Sequence, residues 1–130
     1  DFQSLDELPE INLNKNCFIP ENYLPDINVR LLMYNKVSLA ESSIDLKNIQ
    51  IEMINRFGLL PEELKNFFLQ AELRIIAEEY SIKKINFLDS KINISFKNKD
   101  LDTSFFNDDT LEEKIKMTSD VIKTICANAP

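Results

Sequence analysis

The chain has 130 residues and a formal net charge of −7, with 22 acidic residues, 15 basic residues and no histidine. This length supports one domain with a real core, and 44% hydrophobic with 28% charged residues is ordinary for a globular chain. The acidic balance argues against direct binding of nucleic acid and favours a basic protein surface as partner. No membrane-length apolar run or signal segment is present, so we expect a cytoplasmic protein with no membrane partner.

The first third of the chain predicts a strand, an ordered loop and a helix. Because residue 1 is Asp rather than Met, we expect a fragment of a longer protein, in which residues 1–8 form a frayed acidic lead-in. Residues 10–14 alternate polar and apolar, the period of a half-buried strand. Asp26 is a suitable N-cap for a first helix after a proline-rich loop. We expect that helix to bury a stripe formed by Ile27, Leu31, Tyr34 and either Val37 or Ser38. Arg30 and Lys36 are expected to face away from this stripe.

The centre of the chain predicts a helix hairpin around its lone glycine. The Ser42-Ser43 pair ends the first helix and can cap the next, with Asp45 three residues after Ser42 as a weak capping box. An apolar helical pattern over residues 44–57 then ends at Gly58, which can adopt a positive φ at no steric cost. Pro61 then suits the first position of a third helix over residues 61–80, because its missing N–H has no partner there. The connection is so short that the two helices must pack together, which makes Gly58 and Pro61 the structural hinge.

The last third predicts a β-hairpin and a final helix. Apolar residues alternate over residues 82–87 and 92–96, on either side of a polar turn, and residues 97–100 form a solvated turn. Thr110 and Glu113 are spaced as a capping box for a helix beginning near Leu111. The predicted architecture is α+β, with about four helices, including the central hairpin, and a small, mostly antiparallel sheet of about three strands.

Few residues here are suited to catalysis. The absence of histidine removes the commonest general base and metal ligand, and one glycine cannot form a phosphate-binding loop. Cys17 and Cys126 have no metal-binding spacing, and we expect both to be reduced and inert. Asp108 and Asp109 fit helix capping better than cation binding. We therefore expect no catalytic residue, no metal site and no cofactor in this chain.

Two features leave their role open. Phe105 and Phe106 lie in a polar segment and serve either as a core plug or as a contact patch. Glu52 and Arg56 lie four residues apart in the favourable order, so they form either an exposed helix pair or part of a partner-binding face with Asn55.

Several segments resemble the C-terminal domain of bacterial transcription-repair coupling factors (Mfd). The most specific are the Ile-Pro-Glu-x-Tyr pattern at residues 19–23, Asp-Ile-x-x-Arg-Leu at residues 26–31 and Arg-Phe-Gly-x-Leu-Pro at residues 56–61. Shorter matches at residues 10–13, 34–36, 71–74 and 82–85 keep the family's order. The resemblance divides the single domain into a lead-in (1–8), a family-like core (9–97) and a divergent tail with the final helix (98–130).

The resemblance implies a non-catalytic, autoinhibitory domain. In this family the domain packs on an N-terminal module similar to UvrB and masks the surface that binds the repair protein UvrA. The parent is an ATP-dependent DNA translocase that removes stalled RNA polymerase, with ATP and Mg²⁺ bound by upstream motor domains. Glu52, Asn55 and Arg56 match the face turned to the N-terminal module, although the family usually has Asp at the Asn55 position. It also commonly has Gly at Ser81.

Two other functions are compatible with the residues. A stand-alone adaptor would bind an unrelated protein surface, and it would be distinguished by a reading frame that begins near Asp1. A carboxylate-only hydrolase would need a pocket with two convergent carboxyl groups of perturbed pKa.

Overall fold

The computed structural model describes residues 8–104 and 109–127 and confirms the predicted α+β class. Its elements are β1 (Glu10–Asn12), α1 (Ile27–Leu39), α2 (Ser43–Phe57), α3 (Glu62–Glu79), β2 (Lys84–Phe87), β3 (Lys91–Ser95), β4 (Asp100–Ser104) and α4 (Leu111–Ala127). The predictions for Phe105, Phe106, Asp108 and most of the lead-in lie outside the described residues.

The chain divides into two compact units, and the division falls within α3. Residues 15–75 form a helical unit that contains α1, α2 and most of α3. The remaining described residues form a sheet unit with the four strands and α4.

Side-chain caps begin α1 and α2 as the sequence predicts. The Asp26 carboxylate accepts hydrogen bonds from the backbone N–H groups of Asn28 and Val29, at 2.9 and 3.2 Å. The Ser42 hydroxyl accepts one from the Asp45 N–H at 3.1 Å. These caps satisfy donors that have no partner within the helix, which fixes where each helix starts.

The core of the helical unit combines the proline-rich loop with all three helices. Its buried members are Ile19, Leu24, Met33, Val37, Ala40, Leu46, Met53, Leu64, Phe68 and Ala71. The predicted stripe of α1 is wrong in part, because Met33 and Val37 are buried whereas Ile27 and Leu31 are 58% and 59% exposed. Apolar residues surround α1 on every side, so spacing alone does not select the face that packs.

Gly58 adopts φ 102° and ψ −172°, a conformation that is essentially restricted to glycine. Its N–H donates to the Ile54 carbonyl at 3.0 Å and closes the last turn of α2. The Pro61 carbonyl accepts from the Lys65 N–H at 3.0 Å, so Pro61 lies just before α3 rather than at its first position. The predicted stop and restart is confirmed, since α2 and α3 contribute to one core.

The sheet has the order β1-β2-β3-β4, with β1 parallel to β2 and the other pairs antiparallel. Buried side chains alternate with polar ones along β2 and β3, as the predicted hairpin requires. The sequence did not predict β4, because its Asp-Leu-Asp-Thr-Ser residues are mostly polar and their alternation is weak. It pairs with β3 from Asp100 to Ser104.

The end of α3 places Ser81 in a backbone conformation that favours glycine. Ser81 has φ 56°, and the Ile82 N–H donates to the Ala77 carbonyl at 2.8 Å. This is a Schellman closure, in which the residue after the helix takes the left-handed conformation that favours glycine. Serine occupies that position here.

Replacing Gly58 with alanine tests the hinge. No atom of the described residues lies within 4 Å of an added Cβ, so the strain comes from the backbone alone. We expect Gly58→Ala to lower the free energy of unfolding by about 1–3 kcal/mol in urea denaturation followed by circular dichroism. The control, Leu59→Ala, changes a neighbour that is 86% exposed and should stay within about 0.5 kcal/mol of wild type. Equal stabilities for both variants would contradict the assignment.

Candidate functional site

The predicted site residues lie on the last two turns of α2. Glu52, Asn55 and Arg56 are separated by three and four residues, so their side chains share one face of the helix. Asn55 and Arg56 are exposed, and the Glu52 side chain is 33% exposed. The structure therefore brings the three residues together on the surface of the helical unit.

Glu52 is held between two cations. The Lys36 ammonium on α1 lies 3.0 and 3.1 Å from its two carboxylate oxygens, and the Arg56 guanidinium lies 2.9 Å from Oε2. The hydrogen bond from Lys36, followed by that from Arg56, lowers the pKa of the Glu52 carboxyl. We call Lys36, Glu52 and Arg56 the Glu52 cluster.

The sequence did not identify Lys36 as part of this site, and we expected it to face away into solvent. The helical spacing within α1 gives no indication that Lys36 contacts Glu52, which lies 16 positions later. The available signal was a basic residue in the last turn of a helix that ends just before α2 begins. That signal places a cation near the C-terminus of α1 but does not identify the carboxylate it meets.

Aromatic residues next to the hinge fix the position of Arg56. Its guanidinium carbon lies 4.8 Å from the centroid of the Phe57 ring, and that ring packs edge-on against Tyr23 at 6.1 Å. The Tyr23 hydroxyl lies 2.8 Å from the Gly58 carbonyl oxygen and 3.2 Å from that of Met53. The last turn of α2 is therefore tied to the loop that precedes α1.

Exposed aliphatic side chains lie on the same helices as the cluster. Leu32 and Leu39 are four residues before and three residues after Lys36 on α1, and they are 50% and 69% exposed. Ile51 precedes Asn55 by one turn of α2 and is 50% exposed. Apolar residues around a polar centre are a combination that protein-binding surfaces use.

The described residues offer little for catalysis. No group of three or more Asp, Glu, Cys or His side chains within residues 8–104 and 109–127 could hold a metal ion. Cys17 and Cys126 are unpaired, and burial raises the pKa of the Cys17 thiol, which disfavours the nucleophilic thiolate. Over the same residues, no helix is long and apolar enough to cross a membrane.

A family model described as the TRCF domain matches residues 13–105. This chain belongs to the TRCF domain family. The matched region contains all five predicted site and hinge residues and extends past residue 97 to include β4. The strand that the sequence did not predict is thus within the family's region of similarity.

Curated relatives of the TRCF domain bear the name transcription-repair-coupling factor. The Haemophilus influenzae protein is 38% identical over 87 residues, which is 64% of this chain and 8% of that protein. The Borreliella burgdorferi protein is 33% identical over 93 residues, covering 72% and 8%, and the Escherichia coli protein is 34% identical over 76 residues, covering 58% and 7%. The chain spans less than a tenth of each of these relatives.

A crystal structure of the C-terminal domain of transcription-repair coupling factor has a similar fold. It matches with a TM-score of 0.65 and 21% sequence identity, over 70% of this chain and 56% of that one. At this identity the likeness establishes a shared fold.

Replacing Glu52 with glutamine tests the ion pairs through their pH dependence. The pKa of folded Glu52 is lowered, so its stabilising contribution is complete above its ordinary value of 4.5 and is lost as pH falls through the folded-state value. We expect Glu52→Gln to lower the free energy of unfolding by at most about 1 kcal/mol near neutral pH, because the group is partly solvated. This difference should shrink below pH 4.5.

The measurement is urea denaturation of wild type and variant across this pH range. Glu21→Gln is the matched control, because Glu21 is exposed in the loop before α1 and forms no ion pair with a described residue. A Glu52→Gln effect of the same size at about pH 3 and about pH 7 would show that the carboxylate charge is not responsible.

Proposed function

We propose that this TRCF domain is a non-catalytic docking module that inhibits its own parent protein. It packs on an N-terminal, UvrB-like module and masks the surface that binds UvrA. The observation that carries this proposal is the Glu52 cluster, a partly exposed carboxylate between two cations on a face with exposed aliphatic residues. We call Lys36, Glu52, Asn55 and Arg56, with Leu32, Leu39 and Ile51 around them, the docking face.

The geometry of the docking face favours protein recognition over chemistry. Lys36 and Arg56 occupy the Glu52 carboxylate, so it lacks the raised pKa that a general acid needs. The neighbouring aliphatic residues supply apolar area, and the charges determine which partner surface fits. Asn55 adds amide donors and an acceptor without a charge.

The parent's activities are part of this proposal. We infer that the parent is a cytoplasmic, ATP-dependent DNA translocase that displaces stalled RNA polymerase and recruits nucleotide excision repair. The name shared by the curated relatives supports this inference. ATP and Mg²⁺ then belong to the parent's motor domains, while this domain controls access to UvrA.

An inhibitory contact of this type must open when the motor engages polymerase. Within one polypeptide the effective concentration of the partner module is high, so a weak contact suffices to keep the parent closed. Exposed charge pairs contribute modestly to affinity and strongly to the choice of partner. A face with few charges among aliphatic residues is therefore suited to a reversible inhibitory contact.

Reversing the central charge tests the docking face. Titration calorimetry would compare binding of the separately expressed N-terminal module by wild type and by Glu52→Arg. We expect the variant to bind at least about tenfold more weakly, because three neighbouring cations replace an ion-paired carboxylate. Circular dichroism should show that the variant remains folded.

The control is Glu79→Arg, which makes the same charge change at the exposed end of α3. There a cation suits the helix dipole, so binding should change by less than about twofold. Unchanged binding by Glu52→Arg, or equal weakening by both variants, would contradict a specific contact at Glu52.

A further inference from the structure

A solvent-open pocket lies at one end of the sheet. It has a volume of about 580 Å³, within the usual range for ligand sites. One row of paired residues crosses the sheet there, from Glu10 through Lys84 and Ser95 to Asp100. The adjoining row carries the buried Ile85 and Ile94, so side chains of the pocket row lie on the opposite face.

The pocket concentrates positive charge in an acidic protein. Residues 83–99 contain five lysines and a single acidic residue, although the whole chain carries −7. Four of these lysines line the pocket, namely Lys83, Lys84, Lys97 and Lys99. We call this site the lysine pocket.

Contacts within the chain engage only some of these lysines. The Lys84 ammonium lies 3.2 Å from the Glu10 carboxylate, and the Lys99 ammonium lies 5.9 Å from the centroid of the Phe96 ring. Lys83 and Lys97 are exposed, and neither forms an ion pair with a carboxylate in the described part of the chain. At least two ammonium groups thus face solvent in a concave site.

Apolar surface and acceptors accompany the lysines. Leu8 is 43% exposed, and Phe96 is half-buried beneath Lys99, so the pocket offers two apolar contacts. Glu10 and Asp100 also line it and can accept hydrogen bonds from N–H donors. A ligand that fits must combine negative charge, apolar groups and N–H donors.

We propose that the lysine pocket binds an acidic peptide segment of a partner protein. Carboxylates of the segment pair with Lys83, Lys97 and Lys99, an apolar side chain packs on Leu8 and Phe96, and backbone N–H groups face the pocket carboxylates. Nucleic acid fits less well, because the carboxylates of Glu10 and Asp100 would repel its phosphates. In physiological salt the attraction exerted by the lysines is screened over roughly 8 Å. A long polyanion would extend beyond that distance and be repelled by the acidic residues of the rest of the chain.

Fluorescence anisotropy of the 130-residue chain tests this proposal. The probe is a short fluorescein-labelled peptide in which glutamate alternates with leucine, and the comparison peptide has glutamine in place of glutamate. We expect the acidic peptide alone to bind, and to bind more weakly as salt is raised. Lys97→Glu should weaken binding at least about fivefold, since it replaces an attraction by a repulsion.

The matched control is Lys91→Glu, which makes the same charge change in the same segment. Lys91 begins β3, four residues from Ser95, and so lies about 13 Å from the pocket row. Its effect should be less than about twofold. Equal weakening by both variants, equal binding of the two peptides, no binding at about 1 mM protein, or tighter binding of labelled oligothymidylate than of the acidic peptide would each overturn the proposal.

Discussion

The structure of the helical unit depends on the reversal of the chain at Gly58. Its conformation lets α2 end at Phe57 and α3 begin at Glu62, and both helices then place apolar residues in one core. The Tyr23 hydroxyl lies within hydrogen-bonding distance of the Gly58 and Met53 carbonyl oxygens, so the hinge is attached to the loop before α1. Met53 is fully buried, and the Glu52 carboxylate that precedes it meets Lys36 on α1.

In the proposed function, the Glu52 cluster contributes more to recognition than to stability. Its ion pairs are partly solvated, so they add little to the free energy of folding. They nevertheless hold three long side chains in one arrangement before any partner arrives, which reduces the entropy lost on binding. The net charge of the chain does not reveal the second charged surface, because the lysine pocket is basic although the chain as a whole is acidic. The two surfaces belong to different units.

Local rules predicted much of this fold, and long-range pairing accounts for the rest. The caps at Asp26 and Ser42 and the stop at Gly58 depend on a few neighbouring residues, and all were predictable. The buried face of α1 was not, because its apolar residues surround the helix. Strand β4 gains its structure from pairing with β3 rather than from its own polar sequence. The contact of Lys36 with Glu52 and the lysine pocket likewise depend on residues that only the folded chain brings together. By contrast, the spacing of Glu52, Asn55 and Arg56 was sufficient to predict that they share one face of α2.

The most direct test of the central claim is to map the surface that the N-terminal module covers. Nuclear magnetic resonance of the ¹⁵N-labelled chain, titrated with the unlabelled UvrB-like module, would report this residue by residue. We expect shifts in amide signals around Lys36 on α1 and from Ile51 to Arg56 on α2, with the β2–β3 hairpin unchanged. Shifts confined to the sheet unit, or none at saturating module, would contradict it.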